Sequence, residues 1–267
     1  MRAYAALFRI RFVNSLQYRA AAVSGVVTQF AFGFMFILAF AAFYRAAPEA
    51  FPMRFSHLVS YIWMQQAFLA LFVTWYWDND ILNTVTEGSI AYELVRPVDL
   101  YRRWFVQSAA NRLSRAALRC APILAVAAAL PEPYRLHLPP DPRQLLLFIL
   151  SMVLTLAVVS AFSMLIYISM FHTVSTAGLR YIVAAFADFF AGQIVPLSFF
   201  PGPVRAAAEL LPFAAMQNTP LRIYSGDISG NGAYAGLLLQ VFWLAALYIA
   251  GRAWMSRAVN KVVVQGG

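Results

Sequence analysis

Long apolar runs separated by short polar interruptions dominate the chain. The first 19 residues, "MRAYAALFRIRFVNSLQYR", are the exception. They alternate Arg2, Arg9, Arg11 and Arg19 with Tyr4, Leu7, Phe8, Phe12 and Leu16 at helical spacing, a pattern that predicts an amphipathic helix lying on a membrane surface. Apolar runs then predict six spans, at about Ala20–Phe43, Leu58–Trp77, Ala109–Leu130, Gln144–Phe171, Tyr181–Phe199 and Ala233–Trp254. A spanning helix needs about 20 mostly apolar residues, and the first run is also longer than a signal-peptide core of about 7–15 residues. Between spans five and six, the segment 201–232 is broken by Pro201, Pro203, Pro212 and Pro220. Its apolar pieces are too short to cross and are expected to dip into the membrane or lie at its surface.

The longest polar interruption is "TEGSIAYELVRPVDLYRRW", Thr86–Trp104, within a segment 78–104 that follows the aromatic cluster Trp75, Tyr76 and Trp77. Gly88 permits a turn, and "SIAYELV" predicts about two helical turns ended by Pro97. Ile90, Leu94 and Val98 fall near one face, while Glu87, Glu93 and Arg96 carry charge. A short knob with an apolar tip suits a partner's groove. A solvated surface loop is the plainer alternative.

Composition agrees with the pattern. Hydrophobic residues make up 62% of the 267 and charged residues only 12%, with a mean hydropathy of +0.67, against about 45–50% and 25% in soluble domains. An all-α integral membrane protein forming one transmembrane domain over 1–267 is expected, with no room for a large soluble catalytic domain. Cys120 stands alone, which excludes a disulfide framework. The net charge of +9 is spread between apolar runs and does not form a nucleic-acid tract.

With the N-terminus inside, 14 basic residues face the cytoplasm, including Arg96, Arg102, Arg103, Arg112, Arg115, Arg119 and Lys261. Six face outward: Arg45, Arg54, Arg135, Arg143, Arg205 and Arg222. That asymmetry predicts cytoplasmic termini and a cytoplasmic 78–104 segment.

No phosphate-binding G-x-x-x-x-G-K-[ST] loop occurs, the three histidines are dispersed, and G-x-S-x-G is missing. No catalytic residue and no metal site are expected. Asp188 falls roughly 13 Å into the fifth span at 1.5 Å per residue, and an acid there faces a partner or a cavity. It is a candidate for attracting a cationic or amphipathic substrate, for relaying protons, or for a purely structural pair. Gln65, Gln66, Tyr167 and Gln193 are candidates to line the same cavity, or to join helices by hydrogen bonds. Arg112, Arg115 and Arg119 share one helical face. They either reach back to the cytoplasmic phosphates or form a basic vestibule.

The layout resembles the type-2 permeases of ATP-binding-cassette exporters, in particular a compact six-span subgroup. "EGSIAYELVRPVD" is similar to that family's coupling segment and places Glu87, Gly88, Ser89, Ile90, Leu94 and Pro97 on its positions, with Arg96 in the R-P pair. "GQIVPLSFFPGPVRAAAELLPF" is similar to its stretch before the re-entrant helices and places Pro196, Pro201 and Pro212 on its prolines. The resemblance implies a subunit in a bacterial inner membrane with no cofactor of its own. It also implies a second permease, identical or related, and a separate ATPase subunit that holds ATP and Mg and grips the coupling segment. A proton-coupled transporter using Asp188 and a non-transporting scaffold are the rival expectations.

Overall fold

A computed structural model describes residues 2–17, 19–139, 141–173 and 177–260. Lys261 of the basic tail and Val174–Thr176 of the turn before the fifth span lie outside them. The described regular elements are all helical. In chain order they are α1 (Arg2–Ser15), α2 (Arg19–Ala46), α3 (Phe55–Ala67), α4 (Leu69–Phe72), α5 (Asn79–Thr86), α6 (Ile90–Leu94) and α7 (Leu100–Ala129). The second half adds α8 (Pro142–Ser169), α9 (Ala177–Ala191), α10 (Gly202–Leu210), α11 (Pro212–Met216), α12 (Asn218–Ser225) and α13 (Gly230–Val259). Three of them are long and apolar enough to cross a bilayer: α2 over Ala22–Ala46, α8 and α13.

The amphipathic first helix forms. Tyr4, Leu7, Phe8, Arg11, Phe12, Ser15 and Leu16 are its half-buried stripe, turned against α7. Tyr4 accepts a hydrogen bond from the Asp99 amide at 3.1 Å, Ser15 donates to Asn111 at 3.1 Å, and Arg11 pairs with Asp80. The helix is therefore fastened to protein along its apolar face, as well as being suited to a membrane surface.

Two of the expected spans end early. The second, expected to run to Trp77, is α3 and α4 with a break at Phe68, and its helix stops at Phe72. Residues 73–77 that follow, Val-Thr-Trp-Tyr-Trp, are β-branched or aromatic and favour helix weakly; side chains from other helices bond the Val73 and Tyr76 carbonyls and the Thr74 amide. The fifth, expected to reach Phe199, stops at Ala191 because Gly192 adopts φ +81 and turns the chain. Conversely α7 starts at Leu100 and not near Ala109, because Asp99 caps it by accepting from the Arg102 amide at 2.8 Å.

The segment 201–232 resolves into α10, α11 and α12, of nine, five and eight residues. None is long enough to cross. Pro201 precedes α10, Pro212 opens α11, and Pro196 precedes the one-turn 3-10 helix Leu197–Phe199. Every residue of α12 is buried, between α3 and α8, so its irregular ends are covered by protein. Gln144 of α8 donates to the Ile223 carbonyl at 2.7 Å and closes the far end of α12.

Gln240 joins three elements in the interior. Fully buried on α13, it donates to the Ala215 carbonyl at 2.9 Å and to Thr155 Oγ1 at 2.9 Å, and accepts from Ser151 Oγ at 2.9 Å. Interhelical hydrogen bonds of this kind contribute roughly 1–2 kcal/mol at most in a membrane. Gln240→Leu is expected to lower the unfolding temperature in detergent by a few degrees, whereas Leu238→Ala, on the exposed face of the same helix, leaves it unchanged. Equal shifts for the two would show that Gln240 adds nothing beyond its volume.

Candidate coupling site and the broken second helix

One end of the bundle carries α5 and α6. Ile81, Leu82 and Ile90 from this segment sink into a cluster with Leu100, Tyr101 and Trp104 of α7, Met164 and Ile168 of α8, and Met255 and Ala258 of α13. A five-residue helix has no stability of its own. Its position is set by that anchoring to three long helices.

Ile90 is thus the root of the knob and not its tip, which corrects the expected apolar face of Ile90, Leu94 and Val98. The solvent-facing apolar residues are Val95, 82% exposed, Tyr92, 74% exposed, and Leu94 at the margin. Tyr92 and Val95 escaped the sequence pattern because a single helical turn gives too few positions to define a face. Glu87, Arg96 and Pro97 are also exposed. Gly88 has φ +73 with open space around it, and the left-handed turn it allows directs α6 back from α5. Ser89 donates weakly to the Thr84 carbonyl at 3.5 Å. Glu93 is turned inward, where it pairs with Arg103 of α7 and, at 3.9 Å, with Arg96. The helix is one turn, not two. Its charge is partly spent on holding it to α7.

Directly before α5 lies the interruption of the second helix, where several candidate residues meet. Arg112 is 1% exposed. Its Nη1 donates to the carbonyls of Val73 at 2.6 Å and Leu71 at 3.4 Å, and its Nη2 to Ser163 Oγ at 2.9 Å and the Tyr76 carbonyl at 3.5 Å. Thr74 donates through Oγ1 to Asp188 Oδ1 at 2.9 Å. Asp78 accepts from Gln107 at 3.0 Å and Asn111 at 2.6 Å, while its amide donates to the Tyr167 hydroxyl at 2.9 Å. Three buried or half-buried polar side chains, Arg112 of α7, Tyr167 of α8 and Asp188 of α9, thereby bond backbone groups of the interruption in place of helical partners.

The cavity candidates are accordingly divided. Gln65 donates to the Gln193 carbonyl at 2.7 Å, so those two residues meet. Gln66 is buried on the same helix, and Asp188 and Tyr167 grip the two ends of the interruption. All but Gln66 are engaged in hydrogen bonds between elements. The three arginines also part company: Arg112 is a buried clamp, Arg115 lies 3.5 Å above the Tyr76 ring, and Arg119 is laid on Gly25 of α2, where an added Cβ would come within 2.6 Å of its guanidinium carbon. Each arginine thus meets a different protein group, and Arg115 and Arg119 stay partly exposed.

At the opposite end, Arg222 of α12 pairs with Asp227 and with Glu209 at 2.6 Å, and Glu209 also holds Arg205 at 2.8 Å. Glu209 and Arg222 edge a cavity of about 360 Å³ between the short helices and α13, lined also by Asn218, Thr219, Gly236 and Leu239. The sequence pattern places Arg205 and Arg222 among the outward-facing basic residues and does not single out Glu209 or Asp227.

Comparison with curated proteins yields no match, and comparison with solved structures likewise yields none. A family model does match: that of the ABC-2 family transporter proteins, over residues 30–266. The match takes in the knob, the interrupted second helix, the short-helix segment, α8, α13 and α2 from residue 30 onward, and the chain is a multi-pass membrane protein of the ABC-2 transporter family.

Proposed function

We propose that the chain is the membrane-spanning permease subunit of an ATP-driven exporter, worked by a separate ATPase subunit that docks on α6. The observation that carries this reading is the knob. A short helix, rooted by Ile90 among three long helices and presenting Tyr92, Val95, Glu87 and Arg96 outward, is built to receive force, and the chain's family is one of transporters.

Six passages are proposed: α2, α3 with α4, α7, α8, α9 and α13. The knob end and both termini then face the cytoplasm of a bacterium, in keeping with the 14-to-6 distribution of basic residues. α10–α12 form an outward re-entrant cap. Lacking a phosphate-binding loop, the chain is not itself an enzyme; ATP and Mg belong to the motor subunit. A second permease, identical or related, completes a path for an amphipathic or lipophilic substrate between the two copies. ATP-driven closure of the motors turns this path from inward-facing to outward-open by rigid-body movement. Asp188 is held by Thr74, which favours a structural acid over a proton relay.

Purifying the tagged chain from its native membrane in mild detergent and identifying its companions by mass spectrometry tests the assignment. A stoichiometric ATPase, with a second permease copy, is expected. Recovery of the chain alone under several gentle conditions would overturn it and bring forward the proton-coupled or scaffold alternative.

A further inference from the structure

A membrane-buried arginine is costly unless every donor finds an acceptor, and Arg112 devotes its donors to something unusual. It hydrogen-bonds three backbone carbonyls, of Leu71, Val73 and Tyr76, on both sides of the point where the second helix unwinds. Non-helical backbone at that depth persists only where protein covers it or water lines it. Arg112 is therefore what allows the interruption to exist. The clamp is incomplete, since two of its bonds are long, at 3.4 and 3.5 Å, and its buried Nε has no partner among the described residues. An incompletely satisfied group can exchange partners when the backbone shifts.

The interruption also has two ends in different helices. Asp78 caps α5 by accepting from the Asp80 amide at 3.1 Å, and it is tied to α7 through Gln107 and Asn111 and to α8 through Tyr167. Thr74, four residues earlier, is tied to α9 through Asp188 Oδ1 and the Ala184 carbonyl. Val73 still closes α4 by donating to the Leu69 carbonyl at 3.0 Å, but residues 74–77 have no helical bonds among the described residues to resist a change of φ and ψ, which is the property of hinge segments.

We infer that residues Val73–Asp78 are a joint that passes movement of the α5–α6 knob to α9, with Arg112 as the positioning residue that stabilises the joint and the Thr74 hydroxyl, bonded to Asp188 at 2.9 Å and to the Ala184 carbonyl at 3.3 Å, as its link to α9; the longer bond from the Thr74 amide to Asp188, at 3.4 Å, is not the link. The inference rests on the proposed motor-driven function for the direction of movement. The mechanical link itself stands on the hydrogen bonds alone.

Spin labels test it in the full complex in lipid nanodiscs, in a Cys120→Ala background. One pair joins Tyr92→Cys on α6 to Leu146→Cys on α8, and the other joins Phe186→Cys on α9 to the same α8 site; all three positions are exposed. Trapping ATP with vanadate is expected to shift both distances in the parent protein. In Thr74→Val, which removes only the hydroxyl link, the α6 distance still shifts and the α9 distance does not. Arg112→Lys keeps the charge but places a single ammonium where a fork served three carbonyls, and is expected to behave likewise. An α9 shift that survives Thr74→Val overturns the joint. A parent protein whose α6 distance ignores ATP overturns the motor reading instead.

A measurement on the chain alone needs no motor: Thr74→Val should broaden the Phe186–Leu146 distance distribution. An unchanged width overturns the link independently of folding losses in Arg112→Lys.

Discussion

Tyr92→Ala combined with Val95→Ser is expected to abolish the permease-stimulated part of ATP hydrolysis in the purified complex, leaving the amount and the melting temperature of the chain unchanged. Both side chains project from the knob, 74% and 82% exposed, so neither contributes packing that the fold would miss. An exposed aromatic with an apolar neighbour and charges at the rim, here Glu87 and Arg96, is the composition of a docking centre, where truncating a Tyr costs about 2 kcal/mol or more. That is roughly a 30-fold loss of affinity. Glu87→Ala is expected to have a smaller effect that fades at high salt, as a rim charge does. Ile90→Ala separates root from tip. Ile90 is 4% exposed inside the cluster of α7, α8 and α13, and large-to-small changes there cost roughly 2–5 kcal/mol, so this variant should lose stability first and docking with it. Hydrolysis assays and co-purification of the motor check all three. Full stimulation in the Tyr92/Val95 variant would remove the knob from the interface.

The contrast between Ile90 and Val95 shows what was legible in the sequence. Long uninterrupted runs produce α2, α8 and α13 close to their expected ends, since 20 apolar residues leave a helix few alternatives to the membrane. Gly88, Pro97 and the polar run located the knob. Which side of a single turn is buried depended on α7, α8 and α13, and those contacts are between residues far apart in the chain. The second and fifth spans end earlier than their apolar runs, each for its own reason. Hydropathy continues past Phe72 and past Ala191, but Arg112 stabilises an unwound backbone in one case and Gly192 turns the chain in the other. In the sequence Arg112 is one of three arginines on one helical face, open to phosphate contact or a basic vestibule. Its role was not visible until residues 71–76 were placed beside it. Tyr167 and Asp188, offered by the sequence as candidates for one cavity, bond opposite ends of the interruption, at Asp78 and at Thr74.

Arg222→Met is expected to lower stability by about 3 kcal/mol, the low end of the range for removing one partner of a buried ion pair. The lower figure is chosen because Glu209 remains one-third exposed and water can compensate it. Arg222 sits in the last turn of α12, its side chain 9% exposed, and binds Asp227 and Glu209 at once. Through Glu209 it reaches Arg205 of α10, and through Asp227 it reaches Ser198, which donates to Asp227 at 3.3 Å. The guanidinium therefore joins α12 to α10 and to the turn that follows the fifth helix, three pieces too short to be stable separately. Removing it leaves Asp227 and Glu209 without their shared guanidinium, Glu209 at the edge of the 360 Å³ cavity. The larger share of the loss should come from Asp227, whose side chain is 12% exposed against 33% for Glu209. Arg222→Met with Asp227→Leu is then expected to recover more than half of the lost stability, because removing both partners of a buried pair costs far less than removing one. Arg222→Met with Glu209→Gln should recover less. Melting curves in detergent for the single and double variants decide the order. If the Asp227 double variant were no more stable than Arg222→Met alone, the short helices would be held by their apolar contacts, and the ion pairs would be incidental to the cap.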